Sequence, residues 1–463
     1  MITQKQIANR MRLFRTAVMV PVLLAGCGDD LLVPDYNNPS LEELQNPSPA
    51  IIAAAATGML VGMRDEFDDR NGYISLVGIV GRESYNFDGA DPRFITEMLE
   101  GQLNPSSPAF GGNLWIDRYR NIRHATITLE GLEKVAAFST AQKEATRGYL
   151  KTLQAHELLL VVNTRDVNGV ALDLNRVPTE APARLSTRAE GLTRVAQLLD
   201  EARTHLQAGG AAFPFPLSSG FTGFNTPATF LRFNRALKAR VEVYRAQYAS
   251  ALTALNESFL TLDATQLNVG AFHVFTTGAG DDVNELFDPR PAPDILAHPS
   301  IVTDADRRTN GELDLRVQRK IRNVTSRTVS FITTDKGFAH YGSLNAPIPI
   351  IRNEELILLR AEANIGLGNA AAALTDINFV RTNSGGLAAL TQASQATLTE
   401  LLKQKRYSLL FEGHRWIDLR RYNRLNDLPL DRSNHTRNAA FPIPEAECLA
   451  REKEAPCSVA NGA

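Results

Sequence analysis

The chain's eight histidines and three cysteines are its most capable metal ligands and nucleophiles, yet their spacing forms no metal or catalytic motif. There is no HxxxH or HExxH pair and no CxxC. A GxSxG elbow, a P-loop and a GxGxxG turn are also missing. Asp304-Ala305-Asp306 opens like a calcium loop, but Arg308 stands where a further Asp or Asn is needed. Asp281, Asp282, Glu285 and Asp288 read as a solvated acidic loop. No metal or cofactor is expected. Scattered carboxylates could meet in space as a glycosidase pair, but nothing in their spacing selects one.

What the irregular segments do hold is a set of residues suited to binding. Flat aromatic faces stack on sugar C–H faces, and planar polar groups bond hydroxyls. Arg82-Glu83-Ser84-Tyr85-Asn86-Phe87-Asp88 combines both, with Arg93 and Phe94 following and then Phe110. Phe221, Phe224 and Tyr341 lie in similar segments. The candidate ligand contacts are therefore Arg82, Tyr85, Asn86, Phe87, Asp88, Phe94 and Tyr341. Trp115 falls in an apolar helical pattern with Tyr119. Trp416 sits among Glu412, Arg415 and Asp418 at helical spacing, so both tryptophans are assigned to the core.

The elements that must carry these residues are mostly helical. Ser48-Pro49 is a cap followed by a first-turn proline, and Ala50–Met63 reads as a buried helix too short to cross a bilayer. Helical periodicity recurs over 113–135, 141–163 and 186–206. Two stretches pattern as tetratricopeptide-like (TPR-like) helix pairs. One runs through Ala239, Tyr244, Tyr248, Ala251 and Leu255. The other runs through Leu356, Leu359, Ala363, Gly366-Leu367-Gly368, Ala373 and Ile377. Such pairs cannot bury their faces alone and must stack. Between them lie long irregular segments, about 83–112, 207–228 and 262–350, with short β-like pieces such as Val329–Thr333. The expected fold is mainly α, with stacked TPR-like pairs, long loops and a few short strands.

Composition and the termini bound the setting. With 49 Lys plus Arg against 51 Asp plus Glu, there is no basic excess, which argues against nucleic acid. Residues 1–26 carry Lys5, Arg10, Arg12 and Arg15, no acid, and a short apolar run, as a secretory signal does; Met11 is an alternative start. Leu24-Ala25-Gly26-Cys27 looks like a bacterial lipobox, making Cys27 the candidate lipidation site. Each buried methylene of such a lipid contributes about 0.8 kcal/mol of membrane affinity. Asp29-Asp30 resembles a surface-export signal, and residues 27–47 read as an anchor and tether ahead of a single domain over 48–463. Cys448 and Cys457 could pair in an oxidising compartment or remain thiols.

Four segments of the C-terminal third, in order, resemble the RagB/SusD family. They are Arg352-Asn353-Glu354-Glu355-Leu356-Ile357-Leu358-Leu359-Arg360-Ala361-Glu362-Ala363, then Asn378-Phe379-Val380-Arg381. Phe411-Glu412-Gly413-His414-Arg415-Trp416-Ile417-Asp418-Leu419-Arg420-Arg421 follows, similar to the family's EGHRWFDLKR, and Phe441-Pro442-Ile443-Pro444 closes the series. The resemblance implies an outer-membrane lipoprotein facing the cell exterior, not an enzyme. It would close as a lid over a SusC-like TonB-dependent barrel, bind an oligosaccharide or peptide, and deliver it in nutrient uptake. It also places ligand contacts in the segment after residue 82. Gln404, Lys405 and Ser408 depart from the family pattern, and 83–112 holds no tryptophan, which turns the expectation away from a starch-like ligand. A TPR-type scaffold for outer-membrane assembly and a surface glycoside hydrolase are the competing readings.

Overall fold

The computed structural model describes Glu43 and residues 45–451, apart from 108–111 and 177–178. Helices dominate, and local chemistry starts most of them. In α1 (Pro49–Gly62) the Ser48 side chain accepts from the Ile51 amide at 3.3 Å, and proline occupies the first turn. Ile52, Ala55, Ala56 and Met59 form its buried stripe. α2 (Tyr73–Val80) is buried on all sides, and α3 (Arg93–Thr96) is one short turn.

α4 (Asn113–Lys134) and α5 (Thr140–Arg165) follow. α5 opens on a capping box in which Ser139 and Gln142 satisfy each other's backbone amides. α6 (Arg188–Gln207) has the same device at Thr187 and Glu190, two residues inside the expected start. α7 (Pro227–Tyr244) and α8 (Tyr248–Asn256) form the first expected pair, reversed at Ala246, which adopts φ 56°. After the loop region come α9 (Ser300–Thr303) and α10 (Leu315–Lys320). The second expected pair is α11 (Asn353–Gly366) and α12 (Ala370–Asn383). α13 (Leu398–Ser408), α14 (Arg415–Arg421) and α15 (Glu445–Ala450) complete the chain.

The helices stack in sequence: α4 on α5, α5 on α6, α6 on α7 and α7 on α8. The stack then continues from α8 to α11 as if residues 257–352 were absent, and α11 packs on α12 and α13. A Cβ on Gly366 would sit 2.2 Å from the Tyr248 ring, so glycine is what lets α11 approach α8 this closely. The mainly α fold with TPR-like stacking thus holds.

The excursion from the stack carries most of the strands. β1 (Ser84–Asn86), β5 (Ile295–Ala297), β7 (Ile332–Phe338) and β6 (Ile321–Val329) form an antiparallel sheet in the order β1-β5-β7-β6. Tyr85 pairs with Leu296, and Leu296 with Gly337. β2 (Val170–Ala171) with β3 (Leu185–Ser186), and β4 (Gly270–His273) with β8 (Ile348–Arg352), make two small sheets. Of Val329–Thr333, expected as a strand piece, Val329 ends β6 and Ile332 and Thr333 open β7, while Ser330 and Phe331 take left-handed conformations and reverse the chain between them.

Trp115 and Trp416 are buried, as expected. Trp115 meets Tyr119 at 4.6 Å between ring centroids, and Trp416 Nε1 donates to the Asn438 carbonyl at 2.8 Å. No helix among the described residues is long and apolar enough to cross a membrane. Cys448 is disulfide-bonded. Cys27 and Cys457 lie outside the described residues, as do the signal and most of the tether.

Candidate functional site

Residues 82–88 do not form an open loop. They leave α2 through Arg82, at φ 52°, and enter β1 at the inner edge of the sheet. Arg82, Tyr85, Asn86, Phe87, Phe94 and Tyr341 are all buried, and Phe221 and Phe224 with them. Of the sequence candidates only Asp88 is half-exposed, and its carboxylate accepts from the Ala90 amide at 2.9 Å. Phe110 lies outside the described residues. As placed, these side chains fasten neighbouring segments. Asn86 donates to the Arg70 carbonyl at 3.2 Å, and the Phe87 carbonyl accepts from Arg327 at 2.8 Å. The Tyr341 hydroxyl donates to the Phe411 carbonyl at 2.9 Å.

What Arg82 and Tyr85 fasten is the segment 428–438. Arg82 donates to the Ile79 carbonyl at 3.1 Å and to the Thr436 carbonyl, while burial lowers its pKa to about 10. The Tyr85 hydroxyl hydrogen-bonds Asp431, and its ring stacks on Phe87 at 5.5 Å. His298 Nε2 lies 3.0 Å from the same Asp431 carboxylate. Because His298 Nδ1 accepts the Ser300 amide at 3.1 Å, its proton belongs on Nε2, which donates. Burial works against the Asp431 charge, but these two donors outweigh it and hold its pKa down at about 2. Thr436, Asn438 and Arg437 tie the rest of the segment to the Leu99, Met98 and Leu428 carbonyls at 2.6, 3.2 and 2.7 Å.

The residue next to the pinned Asp431 is Arg432, and it stacks on an aromatic ring that sequence reasoning did not single out. The Arg432 guanidinium carbon lies 4.6 Å from the ring centroid of Phe331, at the tip of the β6–β7 hairpin. Phe331 is 84% exposed, so the guanidinium leaves most of the ring open to solvent. Two-residue hairpin turns with both residues left-handed are ordinarily Asn-Gly, and this one is Ser-Phe, with φ 47° and 61°. A large apolar side chain held in an unfavourable backbone conformation and left in water is a feature of binding surfaces. The pair offers a flat ring face beside a planar donor, which is the chemistry sought at residues 82–88. The available sequence signal was the absence of glycine from the turn between two strand-like runs.

Two concavities lie near α1. One, about 520 Å³, is strongly acidic, with Asp65, Glu66, Asp68, Asp69, Asp281 and Asp282 on its wall. Burial pushes Asp68 and Asp69 up to about 7. Arg64 neutralises Asp281 at 2.5 Å. Among the described residues no group of three or more His, Cys, Asp or Glu could hold a metal ion. The other concavity, about 330 Å³, is apolar and runs between α1 and Phe221, Phe272 and Ile350.

Against known proteins, residues 310–453 match the SusD family model. No curated protein matches the chain. Among solved structures, surface glycan-binding protein A from Bacteroides thetaiotaomicron in complex with laminarihexaose superposes with a TM-score of 0.68 at 15% identity, covering 90% of this chain and 100% of that one. A laminarin-binding SusD-like protein gives 0.63 at 18% identity, covering 86% and 97%. A SusD superfamily protein from Bacteroides vulgatus ATCC 8482 gives 0.65 at 14% identity, covering 88% and 97%. At these identities the likeness establishes the fold, and the resemblance read from the four C-terminal segments coincides with the family match.

Proposed function

For a chain with the SusD fold and the SusD family's C-terminal region, we propose a non-catalytic cell-surface lipoprotein that binds an oligosaccharide. It would hand that ligand to a partner TonB-dependent outer-membrane barrel. The observation that carries the binding reading is the Phe331–Arg432 pair, in which Phe331 is exposed and backbone-strained and Arg432 is anchored beside the Asp431 network. It is supported by two proteins of the same fold, one laminarin-binding and one in complex with laminarihexaose. On this reading Cys27 carries the lipid that holds the protein at the outer face of the membrane.

The residues first picked from sequence then act at one remove. Arg82 and Tyr85 hold the segment that presents Arg432, and Asp88 is the member of that set open to a ligand. The reading is tested by calorimetric titration of the chain with a panel of oligosaccharides and peptides. The expected result is saturable binding of an oligosaccharide that Phe331→Ala weakens at least tenfold without changing the melting temperature. Binding of peptides alone, or undiminished glycan binding by the variant, would overturn the assignment.

A further inference from the structure

Among the described residues, the signature segment of the C-terminal third leaves Arg415 without a salt bridge. α13, α14 and the loop after α9 line a cavity of about 270 Å³ whose wall carries five cations, Lys403, Lys405, Arg406, Arg415 and Arg424, and three carboxylates, Asp304, Asp418 and Asp427. Four of these five are neutralised by neighbours. Lys403 meets Asp306 at 2.5 Å, Arg406 meets Asp304 at 2.9 Å and Arg424 meets Asp427 at 2.6 Å. Lys405 lies between Asp418 and Glu362, at 2.8 and 3.0 Å.

Arg415 is the exception. Among the described residues it makes no salt bridge, and its hydrogen bond is from Nε to the Gly81 carbonyl at 3.1 Å, which leaves both terminal nitrogens unused. Its surroundings make this costly. Burial, and then the like charge of Arg406, lower its pKa to about 9. Glu83 is near enough to feel the charge, but burial pushes that carboxyl up to about 7, so near neutrality it compensates only in part. A half-buried guanidinium on the wall of a cavity, with both terminal nitrogens unpaired, can donate two parallel hydrogen bonds to an oxyanion.

We propose that this cavity is an oxyanion site in which the terminal nitrogens of Arg415 grip a carboxylate or sulfate group. The ligand is a small oxyanion, free or borne by an acidic monosaccharide, and the site is independent of the Phe331 platform. The space suits a sulfate ion or the acid end of a uronic acid.

Thr399 supplies a variant that leaves the buried charges untouched. It is exposed, lines the cavity and lies in the first turn of α13, where a carboxylate is favourable to the helix. Thr399→Glu therefore keeps the fold while placing an anion in the site. Calorimetry of the full chain with sodium sulfate, sodium phosphate and sodium glucuronate, in chloride of matched ionic strength, reads binding directly and avoids the general stabilisation that sulfate gives proteins. The expected result is saturable binding of at least one of these anions. Thr399→Glu and Arg415→Gln should each weaken it tenfold or more, and Arg415→Lys, which keeps charge but loses the fork, should weaken it nearly as much. Binding of sulfate or phosphate but not glucuronate assigns a free oxyanion, and tighter glucuronate binding assigns an acidic sugar. Absence of binding, or wild-type affinity in Thr399→Glu and Arg415→Lys, would overturn the site.

Discussion

Phe331 shows how a single residue can set stability against binding. A left-handed conformation costs a residue with a side chain about 1–2 kcal/mol relative to glycine, and Phe331 recovers little of that by packing, since it is 84% exposed. Phe331→Gly should therefore raise stability by about 1 kcal/mol in urea unfolding while abolishing oligosaccharide binding. An unchanged or lowered stability would mean that the turn is not strained. Asp68 offers a pH test of a different kind. Burial raises it from 3.8 to about 7, against a hydrogen bond from the Glu285 amide. Its folded pKa lies above its unfolded value, so the folded state holds the extra proton, and stability falls as pH rises through that window. Asp68→Asn should gain on the wild type between those two values and then level off, at about 4 kcal/mol above pH 8. A difference in melting temperature that does not vary with pH would exclude this account. Residues 82–88 read as a binding set from sequence because Arg, Tyr, Asn and Phe adjoin there. Their burial was not, since it is imposed by a strand partner, Ile295–Ala297, that nothing in the local sequence announces.

At the scale of elements, the C-terminal signature is a set of buried ion pairs between helices. Glu355 of α11 takes Arg240 of α7 in a two-pronged pair at 2.6 and 2.7 Å, both groups buried. Glu362 of the same helix is shared by Lys405 of α13 and Arg421 of α14 at 3.0 and 2.7 Å. Removing one partner leaves a buried charge alone, so Glu355→Ala should destabilise by about 3–5 kcal/mol. The double variant Glu355→Leu/Arg240→Leu should recover much of that loss, as read by thermal unfolding. Helix positions were legible because cap chemistry and apolar periodicity are local: Ser48-Pro49 starts α1, and the Thr187–Glu190 box starts α6. The β6–β7 hairpin was not. Its turn lacks the Asn-Gly signature, and its strands alternate weakly, with β6 largely half-buried or exposed.

At the scale of the molecule, the helical stack is continuous and five of the eight strands, β4 to β8, lie in a region inserted between α8 and α11. That division matches the proposed labour, with a rigid scaffold behind and a ligand face in front. Extraction of the lipoprotein from membranes followed by mass spectrometry should recover a large TonB-dependent barrel in near-equal amount. Recovery of assembly factors with no barrel would move the protein to the scaffold reading. Overall architecture was legible because periodicity marked the helix pairs and the long irregular stretches between them, and the four C-terminal segments resembled one family. The platform was not, because it joins a hairpin tip to a segment a hundred residues further on, and neither part is distinctive alone.

The way the sheet and the 428–438 segment are tied down fixes an order of assembly. Within α4 to α8, and again within α11 to α13, helices of the stack meet near sequence neighbours, so those contacts close short loops and form readily. Arg82 and Thr436 lie 354 positions apart, and β1 waits for β5, so these closures come only after most of the chain is in place. Ligand competence is therefore the last property the polypeptide acquires and the first that a nick or truncation near the C-terminus would remove. A molecule that holds its ligand has, by that fact, finished folding.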